Sequence, residues 1–423
     1  MIPTVVLDDL AEPRFAPHVQ EILDGAATLA PLLEISVEAI CAQASAELSG
    51  ELSGELADFG DDGFRAPMAV LVDALNNQAH LSGFGHVSAH TQLVQLAKNR
   101  LLLADLLRRH PEIHEINIER PIIIAGQGRT GTTHLHNLLA ADPALRSLPY
   151  WESQQPIPLP GEYGREPDPR RARCADGLRF LDQALPHFKR MHEMTVDHVH
   201  EEIQLLAMDF STMLFETMAP VPAVRDYYLS HDQTPHYRFM RTVLQAMTFL
   251  RGGQRWVLKS PQHLEQFVAL NNVFPDATVL ITHRDPVSVT ISLMTMLAYT
   301  QRFQTTQVDL HAVGRYWTDR NAAMLNSCLR DRAALPSDRS MDVIFHDFMA
   351  DDLGTVRQIY ALADQPYTAT TQQAHHNYLA GHQRDRHGKV AYDFNQFGID
   401  PGEIRRTFAD YMHRYQIRSE WTV

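Results

Sequence analysis

The residues with the clearest chemical potential lie between Pro121 and Pro143. An apolar run, Ile122 to Ala125, is followed by a glycine-containing loop, Gly126 to Gly131, and then by a helical pattern of leucines. A strand, a tight loop and a helix start in this order are typical of a phosphate cradle. Glycines let backbone N–H groups approach an anion closely, and the helix N-terminus adds partial positive charge. Thr132 and Thr133 follow, where their hydroxyls can donate to the same oxygens.

The loop differs from that of ATPases in the position of its cation. Gly126 and Gly131 have the Walker spacing, but Thr132 stands where the lysine should be. That lysine reaches the β- and γ-phosphates of a nucleoside triphosphate. The nearby cation here is Arg129, inside the loop. We therefore expect a shorter anion, one phosphate that carries one further group. The alternative is an ordinary strand–turn–helix with incidental glycines.

Two later stretches contain further cations. Residues Arg255 to Pro261 read R-W-V-L-K-S-P, and residues Thr278 to Ser292 read T-V-L-I-T-H-R-D-P-V-S-V-T-I-S. Together with the loop G-Q-G-R-T-G-T-T, these motifs resemble the PAPS-dependent sulfotransferase family. PAPS, 3′-phosphoadenosine 5′-phosphosulfate, is the sulfuryl donor of that family. The resemblance covers most of residues 119–400 and is greatest to the large bacterial branch, whose loop carries Arg rather than Lys.

The resemblance implies a set of cofactor-binding residues. Arg284 and Ser292 match the pair that holds the 3′-phosphate in the family. A late basic segment matches one that closes over the phosphates, with Arg386, Gly388 and Lys389 as candidates, although a solvated charged loop is an equal alternative. The loop residues implied to hold the 5′-phosphosulfate are Gly128, Arg129, Thr130, Gly131, Thr132 and Thr133.

The resemblance also implies three catalytic residues. Lys259 and Arg129 would stabilise the negative charge that grows on the leaving group. In the branch with the Arg-containing loop, a Glu shortly after the first helix is the general base, and Glu152 is the best match. The animal branch instead has a His close behind its strand-end Lys, but Pro261 takes that place here. His263 is the second candidate base, and a surface role is the alternative for Glu152.

Six ionisable residues are clustered among the methionines of residues 170–250: His192, Asp197, His198, His200, Glu201 and Glu202. His198 and Glu202 have the i,i+4 spacing of one helical face. The pair lacks the HExxH arrangement, and sulfuryl transfer from PAPS needs no metal, so no metal is expected. This cluster of ionisable residues either lines an acceptor pocket or forms a polar helix surface. The acceptor stays open: a small molecule, a lipid or glycolipid, or a carbohydrate.

The pattern of elements predicts an α/β fold with a P-loop-like central sheet, mainly parallel and flanked by helices. Residues 1–118 read as a helical region that packs on the core, and Leu48, Leu52 and Leu56 form one helical stripe. Residues 119–423 read as the sulfotransferase α/β domain, with a helical insertion at about 165–250. Because ligands of parallel sheets gather at the carboxyl ends of strands, Arg129, Lys259 and Arg284 should converge.

Composition sets limits on partners and location. Apolar residues make up 44% of the 423 residues, enough for a sizeable core, and the net charge of −14 argues against binding to nucleic acid. The three cysteines are widely spaced and indicate neither a disulfide framework nor a zinc site. No apolar run reaches the length of a membrane span, so a cytoplasmic protein without an integral membrane segment is expected. The sequence leaves open whether the chain forms a homo-oligomer.

Two other functional classes stay open at this stage. A P-loop kinase or NTPase would need a loop lysine and a Mg²⁺-binding Asp, and Asp285 is a poor candidate because Arg284 and Pro286 flank it. A non-catalytic nucleotide-binding protein would bind the bisphosphate product without transferring anything. The sulfotransferase reaction is the prediction that the three motifs favour.

Overall fold

A computed structural model describes residues 2–52, 58–383 and 385–421 of the chain. Its centre is a sheet of four parallel strands in the order β3-β2-β4-β5. The strands of this sheet are β2 (Ile122–Ala125), β3 (Val257–Ser260), β4 (Thr278–His283) and β5 (Ser340–Ile344). A separate short parallel pair joins β1 (Val5–Val6) to β6 (Val390–Ala391).

The apolar run of β2 is buried on both faces of the sheet. Ile122 and Ile124 pack into one hydrophobic cluster with the helix that follows the loop, and Ile123 and Ala125 pack into a larger cluster on the other face. Successive side chains of a strand point to opposite faces, so a central parallel strand must be apolar throughout. This explains why β2 reads as an uninterrupted I-I-I-A.

Helices cover both faces of the sheet. The helices of the region after β2 are α5 (Thr132–Ala140), α6 (Tyr150–Gln154), α7 (Pro169–Ala184), α8 (Ile203–Ala207), α9 (Leu214–Met218), α10 (Pro222–Ser230), α11 (Thr234–Arg251), α12 (Phe267–Val273), α13 (Pro286–Gln304), α14 (Leu310–Asp331), α15 (Phe345–Ala350), α16 (Asp352–Leu362), α17 (Ala369–Gly381), α18 (Pro401–Thr407) and α19 (Ala409–Arg414). Helices α5 and α16 pack on one face of the sheet. The cluster on the other face includes side chains of α13 and α14.

The N-terminal region is helical, as the periodicity predicts. It contains α1 (Pro17–Leu29), α2 (Val37–Glu47), α3 (Arg65–Asn77) and α4 (Gly83–Arg109). The long helix α4 contacts α1 and α2 on one side and α11 and α13 on the other. Its buried side chains join the same cluster as one face of the sheet. The division of the chain at residue 118 stays a prediction.

Two local predictions about helices are wrong. Helix α2 ends at Glu47, and Leu48 to Glu51 form a turn, so the stripe of leucines does not continue as a helix; Leu56 lies outside the described residues. His198 and Glu202 do not share a helical face, because the chain from Thr195 to Glu202 contains no helix. At Leu48 one hydrogen bond of helical spacing remains, from the N–H of Leu52 to the carbonyl of Leu48 at 3.4 Å, but the helix does not continue through the glycines, which disfavour it. Between Thr195 and Glu202 the i,i+4 spacing occurs without a helix.

Within the three described ranges, no single helix is long and apolar enough to cross a membrane. One pair of helical segments, Pro17–Leu32 and Val37–Glu47, meets the criteria of length and composition together, but it is bent by 106°.

Gly126, directly after β2, is so closely packed that we expect its substitution to lower the stability of the protein. A Cβ atom at this residue would lie 1.8 Å from Oγ1 of Thr282 and 2.8 Å from Cγ2 of Thr132, both of which are buried. Overpacking of a tight interior costs typically about 1–3 kcal/mol. We therefore expect Gly126→Ala to lower the free energy of unfolding by about 3 kcal/mol in urea denaturation.

The matched control is Gly177→Ala in α7, where a Cβ atom would meet nothing within 4 Å. Alanine is favoured over glycine in a helix by about 1 kcal/mol, so this variant should be as stable as the wild type or slightly more so. Equal unfolding midpoints for the two variants would contradict the prediction.

Candidate functional site

The loop between β2 and α5 has the shape of an anion cradle. Arg129 and Gly131 both adopt left-handed backbone conformations, with φ of 74° and 86°. Within the described part of the chain, the amide N–H groups of Gly128, Arg129 and Gly131 donate no hydrogen bond. The first N–H groups of α5, beginning at Thr132, have no partner in a preceding turn. Several free donors are thus gathered at a helix N-terminus, the arrangement that favours an anion.

Buried hydrogen bonds hold the loop against the neighbouring strand. The Thr130 hydroxyl donates to the carbonyl of Gln127 at 2.6 Å and lies 2.6 Å from the Thr282 hydroxyl of β4. The amide of Gln127 donates to Asn321 of α14 at 3.0 Å. The Thr130 side chain is therefore used inside the protein and holds the loop in place, whereas Thr132 and Thr133 line the adjacent cavity.

Arg129 connects the loop to helix α13. Its Nε donates to Oγ of Ser292 at 2.8 Å, and Ser292 donates to the Tyr392 hydroxyl at 2.9 Å. A second guanidinium nitrogen donates to the carbonyl of Met191. Two residues predicted for opposite ends of the cofactor, Arg129 and Ser292, are thus in direct contact. Tyr392 in this cluster has no counterpart among the sequence predictions.

Arg284, at the carboxyl end of β4, also contacts the loop. Its Nη1 donates to the carbonyl of Arg129 at 2.6 Å. The other two nitrogens, Nε and Nη2, donate to the carboxylate of Glu420 at 2.7 and 2.6 Å, and the guanidinium carbon lies 4.0 Å from the ring centre of Phe345. The structure therefore brings Arg284 to the loop, already paired with a carboxylate of the C-terminal segment. Arg284 and Ser292 do not line the cavity that Thr132 and Thr133 line.

Lys259 is the buried cation at the end of β3. Its side chain is only 2% exposed, and its ammonium group is paired with the carboxylate of Glu201. Lys259 and Glu201 line one cavity together with Arg129. The position of Glu201 was not predicted as catalytic, because only the tertiary structure places it beside Lys259.

The neighbouring Glu202 and His263 form an interior network instead. The backbone N–H of Lys259 donates to Oε2 of Glu202 at 2.6 Å, and Oε1 of Glu202 lies 2.5 Å from Nε2 of His263. The other ring nitrogen of His263 lies 2.7 Å from the Tyr237 hydroxyl. His263 is fully buried and does not line the cavity. Its contacts are those of a structural hydrogen-bond network that supports β3.

Glu152 lies apart from the cavity that Lys259 and Arg129 share. Its carboxylate accepts two hydrogen bonds from Nη2 of Arg146, each 2.8 Å long, and forms an ion pair with Arg251 at 2.8 Å. Its side chain is 1% exposed and does not line this cavity. The contacts therefore match the role of a buried ion-pair partner and give no support to the role of a base.

The late basic segment, residues 385–391, runs beside the N-terminal strand. Arg386 forms an ion pair with Glu193 at 2.5 Å, and the exposed Lys389 is paired with Asp385 at 3.0 Å. Gly388 has a φ of 82°. None of these three candidates lines the cavity that Arg129 and Lys259 share. Glu193, however, lies only two residues from Met191, whose carbonyl accepts a hydrogen bond from Arg129. Their role in binding the cofactor stays a prediction.

Three histidines near Lys259, namely His192, His198 and His200, have lowered pKa values. Burial lowers the pKa of His192 and His200 well below the usual value, and the positive charge of Lys259 adds to the effect. The same two causes lower the pKa of His198 to about 4. His192 and His200 line the cavity without adding charge to it. No group of three or more potential metal ligands occurs within the described ranges.

The fold and the loop together define an α/β protein with a P-loop-like cradle at the carboxyl ends of its parallel strands. Comparison with known proteins then gives the family. The model of the sulfotransferase family matches residues 121–369, more than half of the chain. The chain therefore belongs to the sulfotransferase family, which confirms the resemblance of the motifs.

Two solved structures are similar over nearly the whole chain. Sulfotransferase STF1 from Mycobacterium tuberculosis H37Rv is 29% identical, with 89% of this chain and 98% of that chain covered and a TM-score of 0.77. Sulfotransferase STF9 from Mycobacterium avium is 27% identical, with 92% and 99% covered and a TM-score of 0.81. The predicted α/β fold is confirmed by these matches. A search of curated proteins found no match.

The ion pairs of Glu152 predict that its substitution lowers the stability of the protein. Glu152→Gln removes the negative charge that compensates Arg146, whose side chain is 12% exposed. Breaking a buried pair and leaving a charge behind costs about 3 kcal/mol. We expect the free energy of unfolding to fall by that amount in denaturant titration.

Glu47→Gln is the control, because the ion pair of Glu47 with Lys98 is far more exposed. Its loss should cost less than about 1 kcal/mol. A Glu152→Gln variant as stable as this control would show that the pairing seen for Glu152 contributes little.

Proposed function

We propose that this protein transfers the sulfuryl group of PAPS to a hydroxyl group of an acceptor and leaves adenosine 3′,5′-bisphosphate. The observation that carries the proposal is the meeting of Arg129 and Lys259 at one cavity, next to free loop amides at the start of α5. Membership of the sulfotransferase family supports the reaction class. PAPS as the donor and a hydroxyl as the acceptor are part of the proposal.

The hydrogen-bond donors and cations near the loop suit both charged ends of PAPS. The free amides of Gly128, Arg129 and Gly131 suit the 5′-phosphosulfate, which offers only acceptor oxygens. Arg284 and Ser292 adjoin the loop and are proposed to hold the 3′-phosphate. When bound, PAPS would supply the activated sulfuryl group. Arg386, Gly388 and Lys389 are kept as proposed contacts from the late segment.

Lys259 and Arg129 are proposed to stabilise the leaving group. Both cations line the cavity, and the side chain of Lys259 is only 2% exposed. Fixed donors in a water-poor site act on developing charge without the cost of reorganising solvent, and each can supply about 3 kcal/mol of barrier reduction. The pairing of Lys259 with Glu201 keeps its ammonium group in place.

Glu201 is proposed as the general base in preference to Glu152. An acceptor hydroxyl in the cavity can reach only a group that lines it, and among these two carboxylates Glu201 does so. The ion pair of Glu201 with Lys259 supports this role, because the base would then lie beside the cation proposed to stabilise the leaving group. Proton removal and charge stabilisation would thus occur at neighbouring atoms.

The proposal is tested by incubating the protein with sulfur-labelled PAPS and a panel of alcohols, phenols and carbohydrates in the presence of EDTA. Label in a product would support it. Magnesium-dependent phosphate transfer from ATP, with no transfer of label, would favour the kinase alternative. Binding of adenosine 3′,5′-bisphosphate without transfer to any acceptor would indicate a nucleotide-binding protein.

Comparison of Glu201→Gln with Glu152→Gln tests the assignment of the base. A positioned general base contributes about 10²–10⁴-fold to the rate, so Glu201→Gln should lower kcat at least about a hundredfold. Its affinity for adenosine 3′,5′-bisphosphate should stay within about twofold, because Gln still accepts a hydrogen bond from Lys259. Glu152→Gln should keep kcat per folded molecule. The reverse pattern would return the base to Glu152.

The pairing of Arg284 with Glu420 predicts an effect on cofactor affinity. A 3′-phosphate on Arg284 must displace the Glu420 carboxylate, which occupies two of the guanidinium nitrogens. A partly exposed ion pair is worth about 1 kcal/mol, so Glu420→Gln should tighten binding of adenosine 3′,5′-bisphosphate about fivefold in calorimetric titration. Glu403→Gln, on the exposed surface of α18, should change nothing. Unchanged or weaker binding by Glu420→Gln would contradict the placement of the phosphate.

A further inference from the structure

The cavity beside Lys259 is apolar over most of its wall. Its volume is about 350 Å³, and its charged lining groups, Arg129, Lys259 and Glu201, belong to the loop side. Aromatic and aliphatic side chains from several helices and loops form most of the remaining wall, among them Phe188, Met194, Met213, Leu293, Trp317 and Met324. A ligand that fills this space must therefore be apolar along most of its length.

Two hydroxyl groups in the helical part of the wall are already satisfied. Thr217 donates to the carbonyl of Leu214 at 2.6 Å, and Thr300 donates to the carbonyl of Leu297 at 2.9 Å. The amide of Asn321 is engaged by Gln127 and Thr290. Against the aromatic and aliphatic part of this wall a carbohydrate would bury hydroxyls without partners, and each buried unpaired polar group is costly.

A second cavity continues from the first. Its volume is about 560 Å³, and it shares six lining residues with the first cavity: Tyr150, Leu181, Gln204, Met218, Phe303 and Gln304. Charged groups in its wall are paired, because Arg170 binds Asp168 and stacks on Trp151, and Arg173 binds Glu162. The second cavity therefore extends the space beyond the proposed catalytic groups, and the charged residues described in its wall, Arg170 and Arg173, are paired.

We infer that the acceptor is an alcohol with a long apolar chain, whose hydroxyl lies at Glu201 and whose chain passes Leu181 into the second cavity. This inference rests on the proposed function, because it places the acceptor hydroxyl beside the groups proposed to act on it. Transfer forms a bond from the alcohol oxygen to sulfur and breaks the bond from sulfur to the bridging oxygen of the donor. The alcohol proton passes to Glu201, and the bridging oxygen leaves with adenosine 3′,5′-bisphosphate.

The test uses straight-chain primary alcohols from butanol to dodecanol, with glucose as the polar comparator. Affinity is measured by calorimetry without cofactor, and transfer is measured with sulfur-labelled PAPS. Each methylene buried in an apolar site strengthens binding up to about fourfold. We expect both the affinity and kcat/KM to rise by about this factor per methylene until the chain fills the second cavity, and we expect no transfer to glucose.

Leu181→Trp tests the path of the chain, because Leu181 lines both cavities. The larger ring should lower kcat/KM and affinity for dodecanol by at least about tenfold and leave those for butanol within about twofold, since only long chains reach this point. The control is Leu229→Trp at an exposed position on α10, which should behave as the wild type. Affinity for adenosine 3′,5′-bisphosphate reports whether each variant is folded.

The outcomes separate this inference from the proposed function. Alcohols that bind with increasing affinity but accept no label would support an apolar site and overturn the proposed transfer. Transfer to glucose, with no binding of dodecanol, would support the transfer and overturn the inference. Equal kcat/KM along the alcohol series, or equal loss of butanol and dodecanol in Leu181→Trp, would also overturn it.

Discussion

The edge at which the parallel strands end is the constraint on which the site depends. Strands β2, β3 and β4 lie side by side and run in the same direction, so the residues that follow them meet at one edge. The loop with Arg129 follows β2, Lys259 lies near the end of β3, and Arg284 follows β4. A change in strand order would separate these three cations even if every local element stayed the same.

Charge compensation is the second feature of the site. The protein carries a net charge of −14. Three of the cations proposed to act on the cofactor are already paired with carboxylates: Lys259 with Glu201, Arg284 with Glu420 and Arg386 with Glu193. Pairing avoids the cost of holding a bare cation at partly buried positions. The proposed anionic cofactor would therefore have to displace carboxylates already in place, and its affinity would depend on residues far away in the sequence.

The elements around the loop were predictable, because local signals there agree with the fold. The I-I-I-A run, the glycines and the helix start of α5 form β2, the cradle and α5 as the pattern indicates. Predictions were wrong where spacing was the only signal. Leu48 lies where α2 has ended. The chain from Thr195 to Glu202 contains no helix, and its backbone is hydrogen-bonded to residues 148–151.

The sequence by itself determined the family, the loop between β2 and α5 and the positions of the cations, because these depend on residue types at short spacings along the chain. The tertiary structure alone decided which carboxylate faces them. Glu152 follows the first helix as the motif requires, yet Arg146 and Arg251 hold it away from the cavity. Glu201 reaches Lys259 across 58 positions of the chain. Contacts between residues so distant in sequence depend on how the helices pack on the sheet, and no local pattern encodes that packing.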